Sequence, residues 1–196
     1  MNATETLRQA GAAAPATAPG PQVDLRATMR HFATGVCVVT THAEGPDGPR
    51  HDALTVNSLM PLSVERSLVS LCLRRGSLFL EDLLACGVWG VSVLDAAADD
   101  LARSFARSRE QRAVALRTLA ASPGPRTGAL LLDAPAWMEC ALRDHRVAGD
   151  HVVVIGEVLA CGGQRRRPPL VFLGGAFHTG QDEFVRPAGP GQPMTA

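Results

Sequence analysis

Short apolar runs, rich in β-branched residues, recur along the chain and predict its strands. The runs cover residues 36–42, 53–59, 67–73, 88–94, 137–145, 151–160 and 169–173. Turn-forming residues separate them, and most are too short for a typical helix, so strands are the better interpretation. The segment E-G-P-D-G-P at 44–49 predicts a hairpin between the first two strands, and R-V-A-G-D at 146–150 predicts another between the two longest.

Helical patterns are confined to short stretches that begin at candidate capping residues. The predicted helices start after Asp24, Ser77 and Asp95, and the first two end at Gly35 and Gly87. On the first helix Leu25, Met29 and Phe32 share one face. The arginine-rich stretch 106–131 predicts a partly helical excursion and an exposed loop. Closely spaced strands with a few short helices predict a mainly β fold, an antiparallel barrel with appended helices.

The length of 196 residues is that of one domain large enough to bury a core. Residues 1–22 are rich in Ala and Pro, residues 186–196 are rich in Pro and Gly, and neither segment has a periodic apolar face. Both are therefore predicted to be disordered tails. The folded domain is expected to span residues 23–185.

Composition narrows the range of partners. The formal net charge is zero, so there is no electrostatic case for nucleic acid or for an anionic membrane surface. No signal-like segment opens the chain and no apolar run is long enough to span a membrane, so a cytoplasmic protein is predicted. Five cysteines without a C-x-x-C pair predict free, buried thiols. The histidines lack the spacing of a zinc site, and no metal is predicted.

The second predicted strand, residues 53–59, contains three small polar residues among apolar ones: Thr55, Asn57 and Ser58. Buried polar side chains need hydrogen-bond partners. Such a strand either pairs with its own loops or presents these groups to a ligand. Composition alone does not separate the two interpretations. A second candidate site is R-R-G-S at 74–77, where a strand gives way to a helix whose N-terminal N–H groups could bind a phosphate.

The segment H-D-A-L-T-V-N-S-L-M-P-L-S at 51–63 resembles the flavin-contacting strand of short-chain NAD(P)H:flavin reductases, the FMN-binding split-barrel family. Two further matches follow the family's order. F-A-T-G-V at 32–36 lies upstream, and A-G-D-H at 148–151 leads into V-V-V-I-G-E-V downstream. The similarity spans roughly residues 25–178 and implies an antiparallel split β-barrel with a few short helices.

The resemblance also assigns cofactor-binding residues. It implies that Thr55, Val56, Asn57, Ser58 and Leu59 lie along the isoalloxazine of FMN or FAD, where backbone N–H groups would stabilise the charge that develops on reduction. It further implies that Arg74 and Ser77 hold the flavin phosphate. The sequence departs from the family pattern at Leu59, at Arg66-Ser67 and at Phe79, where a second hydroxyl is usual.

Asp150 and His151 match the family's G-D-H motif residue for residue. The resemblance implies a cofactor-binding role for Asp150 and a catalytic role for His151 on the nicotinamide side of the site. The alternative interpretation is that both side chains only close the hairpin through hydrogen bonds. The two roles are compatible.

The function that the resemblance implies is reduction of FMN or FAD by NAD(P)H, with the reduced flavin passed to a separate monooxygenase. A homodimer is expected, because the flavin-bearing face of a small barrel is largely apolar. Two alternatives stay open. One is a flavin-dependent oxidase or oxygenase on the same fold that acts directly on an organic substrate, and the other is a non-catalytic flavin-binding module.

Overall fold

The computed structural model describes residues 24–45, 48–163 and 166–179. The two predicted tails, residues 1–22 and 186–196, lie outside the described residues. Within the described residues the helices are α1 (Leu25–Met29), α2 (Leu78–Cys86), α3 (Asp99–Phe105) and α4 (Arg109–Thr118), with a 3₁₀ turn at Ala96–Ala98. The strands are β1 (Thr34–Gly35), β2 (Cys37–Ala43), β3 (Arg50–Val56), β4 (Met60–Ser63), β5 (Leu68–Arg74), β6 (Val88–Val93), β7 (Ala121–Pro123), β8 (Leu130–Leu132), β9 (Ala136–Ala148), β10 (His151–Gly163), β11 (Leu170–Leu173) and β12 (Ala176–Thr179).

Seven of these strands form one sheet in the order β3-β2-β6-β9-β10-β5-β4, and β1, β11 and β12 form a smaller one. Neighbouring strands in the described residues pair antiparallel throughout. Both predicted hairpins, β2–β3 and β9–β10, are present. The antiparallel, mainly β architecture with a few short helices is therefore confirmed.

The core lies on both faces of the large sheet. On β2, Val39 packs into a cluster with Leu71, Phe79 and Trp89, whereas its neighbour Val38 packs on the opposite face against α3 and β11. This alternation follows from the two-residue period of a strand. α2 packs on the first cluster and α3 on the second, so helices contact β2 and β3 from both faces of the sheet.

Local capping signals predicted three helix boundaries correctly. The Ser77 hydroxyl oxygen accepts a hydrogen bond from the Leu80 N–H at 3.3 Å, and α2 ends at Gly87 with φ of +72°. The carboxylate of Asp24 caps α1 by accepting from the Ala27 N–H at 2.9 Å. However, α1 ends at Met29 instead of continuing to Gly35. Thr34 and Gly35 instead form β1 and pair with β11, which a continued helix would prevent.

The central stretch differs from its prediction at two points. β3 ends at Val56, so Asn57, Ser58 and Leu59 follow the strand as irregular backbone. The segment expected to be a turn, M-P-L-S-V-E-R, contributes β4, which pairs with β5. β4 is an edge strand of the sheet, a position that tolerates the missing N–H of Pro61.

The prediction that the thiols are buried holds for only part of the set. Cys37 and Cys140 are buried, and burial raises the pKa of each thiol to about 12. Cys72 and Cys161, by contrast, are exposed, although all five cysteines are free. The apolar run around Cys72 belongs to β5, whose side chains alternate between the core and the outer face. Within the described residues no helix is both long and apolar enough to cross a membrane.

Candidate active site

Pairing of β5 with β10 brings two separate motifs together. Arg74, the last residue of β5, lies opposite His151, the first residue of β10. The Arg75 N–H donates to the Asp150 carbonyl oxygen at 2.9 Å, which continues the contact one residue past the ladder. The strand-to-helix junction at 74–77 and the G-D-H turn at 149–151 therefore form one end of the sheet.

Residues 57–59 are attached to the same strand. The Ser58 hydroxyl donates to the Cys72 carbonyl oxygen and accepts from the Cys72 N–H, both at 3.1 Å. On β5, Cys72 and Arg74 are exposed while Leu71 and Leu73 are buried, so the two exposed side chains project from one face. Ser58 therefore fastens the chain after β3 to the backbone of β5, two residues before Arg74.

The polar residues of the central stretch have different partners. The Thr55 hydroxyl donates to the Ala102 carbonyl oxygen at 2.7 Å and so fixes β3 to α3. The Ser58 hydroxyl donates its proton to the Cys72 carbonyl oxygen on β5. Asn57 is exposed. Hydrogen bonding within the protein therefore accounts for two of the three side chains, and Asn57 is the one placed to meet a ligand.

The junction at 74–77 has the groups that a phosphate requires. Gly76 adopts φ of +74°, which turns the backbone between β5 and α2. Ser77 uses its oxygen as the cap of α2 and keeps its proton available for donation. Among the described residues, neither Arg74 nor Arg75 forms an ion pair with a carboxylate. These two guanidinium groups, together with Gly76, Gly149 and Asp150, line an open depression.

Asp150 and His151 interact directly. The Nδ1 atom of His151 lies 2.9 Å from Oδ1 of Asp150. The hydrogen bond from His151 and its charge are the main reasons why the pKa of Asp150 is lowered, with a smaller contribution from Arg74. An ionised carboxylate only accepts hydrogen bonds, so Nδ1 carries the proton and Nε2 remains available to a ligand. The contact supports Asp150 as a residue that orients His151.

Two of the residues that depart from the family pattern, Phe79 and Leu59, pack in or against the core. Phe79, which stands where a second hydroxyl is usual, is 1% exposed and packs within the cluster of Leu71 and Trp89. Leu59 packs against the same cluster. The third departure, Arg66-Ser67, lies in the tight turn between β4 and β5, where Ser67 has φ of +52°. Phe79 and Leu59 thus supply apolar packing.

A cleft next to Asn57 contains residues that sequence reasoning did not assign to the site. Its lining comprises Arg26, Met29, Arg30, Phe32, Thr34, Asn57, Phe172, Gly174 and Gly175, and its volume is about 360 Å³. Two sequence signals touched this region, the shared face of Met29 and Phe32 and the F-A-T-G-V match at 32–36, but neither assigned a binding residue. The approach of these residues to Asn57 depends on pairing between β1 and β11, which no local pattern encodes.

Comparisons with known proteins agree with this arrangement. The family described as "Flavin reductase like domain" matches residues 29–181. The NADH-dependent FAD reductase of Streptomyces globisporus is 34% identical over 161 residues, which cover 81% of this chain and 86% of that protein. BorF, the flavin reductase component of a bacterial two-component tryptophan halogenase, is 36% identical to this chain, with a TM-score of 0.70. The match covers 79% of this chain and 94% of the BorF chain. The styrene monooxygenase flavin reductase of Pseudomonas putida S12 is 28% identical to this chain, with a TM-score of 0.64. The match covers 78% of this chain and 95% of that reductase chain.

These matches span the sheet, the junction at 74–77 and the G-D-H turn together. They confirm the split-barrel fold that the sequence predicted. The chain belongs to the family of flavin reductase like domains.

Proposed function

We propose that this protein reduces FMN or FAD with NAD(P)H and releases the reduced flavin to a separate monooxygenase. The observation that carries the proposal is the convergence at one end of the sheet of Arg74, Ser77 and His151, with Ser58 fastened to the same strand. The relatives support it, because one is an NADH-dependent FAD reductase and another is the reductase of a styrene monooxygenase.

The residues present fit a flavin. Arg74 has no carboxylate partner among the described residues and the Ser77 hydroxyl keeps its proton, so both can bind its phosphate. Ser58 is hydrogen-bonded to the same strand at Cys72, and we expect residues 57–59 to lie along the flavin ring. When bound, the flavin supplies a ring that accepts hydride from NAD(P)H. The task of the protein is then to hold two rings in register, which needs rigid side chains more than an acid or a base. We expect His151 to supply one hydrogen bond to the nicotinamide, and its contact with Asp150, which orients the ring, supports this role.

The functional proposal is tested by following NADH and NADPH oxidation in air, with and without added FMN, FAD or riboflavin. Oxidation that requires added flavin is expected. Flavin that stays bound, with no oxidation of either nucleotide, would favour a non-catalytic flavin-binding module. Oxidation that requires an organic substrate would favour the oxidase or oxygenase alternative.

The phosphate assignment makes a prediction about ligand preference. Arg74→Ala and Ser77→Ala should each weaken FMN binding by about ten- to a hundredfold, because each removes one hydrogen bond to a charged phosphate. Riboflavin, which lacks the phosphate, should bind both variants and the parent protein equally. Fluorescence titration of the two ligands measures the difference.

Ser108→Ala is the matched control for Ser77→Ala, because Ser108 is also a helix cap but belongs to α4. It should change neither affinity. Equal weakening of FMN and riboflavin by the variants at 74 and 77 would show that the phosphate is bound elsewhere.

We also propose that two copies of this chain form a homodimer. Met60 and Leu62 on β4 and Val64 just beyond it are 56%, 48% and 89% exposed, and β4 is an edge strand. Adjacent exposed apolar side chains beside an open edge are typical of an interface. A second copy on this face would also shield the outer surface of β5 that carries Arg74.

The cytoplasm is the location that fits best, since its reducing conditions keep cysteines free.

Light scattering should give twice the chain mass at micromolar concentration. Leu62→Arg should shift the protein to the monomer, because an arginine buried in an apolar interface is left without a partner. Val114→Arg changes an equally exposed apolar residue on α4 and should leave the dimer intact. A parent protein that is monomeric would contradict the proposal.

A further inference from the structure

Arg109 of α4 contacts carboxylates on two other elements of the fold. Its Nη2 atom donates a hydrogen bond to Oδ2 of Asp82 on α2, and its Nε atom lies 3.5 Å from Oδ2 of Asp52 on β3. The side chains of Arg109 and Asp82 are only 17% and 14% exposed, and Asp52 is buried. Arg50 also approaches Asp82, but at 3.4 Å and with an exposed side chain, so Arg109 is the main partner of Asp82. One guanidinium group therefore joins α4, α2 and β3.

The two aspartates lie on the elements that carry the two parts of the proposed flavin site. Asp82 follows by five residues Ser77, the cap of α2, which the proposed function assigns to the phosphate. Asp52 lies on β3, the strand that leads to the ring-binding backbone at 57–59. α2 is a continuous helix from its cap, so a rotation of the helix moves Ser77 and Asp82 together. Arg109 is thus placed to fix the phosphate contact relative to the ring contact.

Apolar packing alone does not fix the orientation of α2. Three apolar side chains hold the helix against the core, namely Phe79, Leu80 and Leu83. Such contacts have no preferred direction, whereas a hydrogen bond does. The guanidinium group is planar and presents its donors in fixed positions, so it can hold two carboxylates at once. The contact of Arg109 with Asp82 therefore fixes the rotation of the helix about its axis, and with it the direction of the Ser77 hydroxyl.

The start of α4 is itself anchored to β3. Arg112, three residues after Arg109, forms hydrogen bonds of 3.1 and 2.8 Å with the buried carboxylate of Asp52. This pair holds the first turn of α4 in place without help from the cap at Ser108. Arg109 therefore reaches towards α2 from a fixed backbone, and a movement of α2 relative to β3 strains its two contacts.

We infer that Arg109 is a positioning residue, which orients the phosphate-binding end of α2 relative to the ring-binding segment and so makes the protein favour a phosphorylated flavin over riboflavin. The inference rests on the proposed function and adds a residue that lies outside the proposed ligand contacts. Coupling between two sites is reciprocal. A phosphate bound at Ser77 therefore also stabilises α4 through Arg109.

Arg109→Gln should weaken FMN binding by about five- to tenfold, because the phosphate contact is no longer pre-organised, and should leave riboflavin binding unchanged. Asp82→Asn should have the same effect. The double variant should lose no more FMN affinity than either single variant, since both changes remove one contact. Arg117→Gln removes an exposed arginine from the last turn of α4 and should change neither affinity. Fluorescence titration measures both ligands, and their ratio does not depend on the folded fraction.

Hydrogen exchange gives a readout that a purely structural role of Arg109 would not produce. FMN should slow amide exchange along α4 of the parent protein more than riboflavin does, and this difference should vanish in Arg109→Gln. Equal weakening of FMN and riboflavin, or a difference in exchange that persists in the variant, would overturn the inference. A parent protein that binds both ligands equally would overturn it as well. A preference for FMN that is lost in the variant, in a protein that oxidises neither NADH nor NADPH, would contradict the proposed function and leave the role of Arg109 supported.

Discussion

Arg112→Met is expected to lower the free energy of unfolding by about 3–5 kcal/mol, because it leaves the buried carboxylate of Asp52 without its main partner. Asp52 on β3 is 3% exposed and Arg112 on α4 is 7% exposed. Their two contacts are Nε to Oδ1 at 3.1 Å and Nη2 to Oδ2 at 2.8 Å. The remaining Nη1 of Arg112 donates to the Arg107 carbonyl oxygen at 2.9 Å. The pair thus fixes α4 onto the strand that leads to Asn57.

Urea unfolding followed by the fluorescence of the buried Trp89 measures this loss. Asp52→Asn combined with Arg112→Met should cost less than the two single changes added together, since no uncompensated charge remains. The exposed pair of Asp99 and Arg103 on α3 serves as the control, and Arg103→Met should cost less than about 1 kcal/mol. Equal small losses at both sites would mean that Arg109, 3.5 Å from Asp52, replaces Arg112.

His151→Ala is expected to slow hydride transfer by about five- to a hundredfold, which corresponds to about 1–3 kcal/mol of the barrier. The Asp150 carboxylate accepts a hydrogen bond from Nδ1, which orients the ring at the start of β10 and leaves Nε2 available. A ring that positions the nicotinamide should affect the reduction rate more than flavin affinity. Stopped-flow reduction of bound flavin at saturating NAD(P)H measures that rate directly.

Two controls separate positioning from hairpin stability. Asp150→Asn retains a hydrogen-bonding side chain but loses the carboxylate, so it should have a smaller effect in the same direction. His145→Ala removes an exposed histidine of β9 and should leave the rate unchanged. A lower melting temperature for His151→Ala with an unchanged reduction rate would make His151 a turn residue only.

Features that depend on local chemistry were predictable from the sequence. Ser77 and Gly87 delimit α2 because capping requires only their own side chain and backbone freedom. The β9–β10 hairpin follows from A-G-D between two long apolar runs. β4 was missed because its residues read as a turn, and only pairing with β5 makes them a strand. Tertiary pairing overrides local propensity in such cases.

The candidate site was predictable as separate motifs but not as an assembly. Arg74, Ser77 and His151 could be identified individually, partly through the resemblance to a known family. Their proximity depends on the register of β5 against β10, which no segment encodes alone. The Asp52–Arg112 pair and the cleft of Arg26 and Arg30 were not predictable for the same reason. Each joins residues that are distant in the sequence.

The protein is expected to reduce a flavin and then release it. The most direct measurement mixes the protein anaerobically with FMN or FAD and NAD(P)H, follows the loss of oxidised-flavin absorbance, and then separates protein from small molecules by ultrafiltration. We expect the absorbance to be lost at a rate that depends on the protein concentration, and the reduced flavin to appear in the filtrate. Reduced flavin that remains with the protein would contradict its release, and oxidised flavin that persists would contradict its reduction.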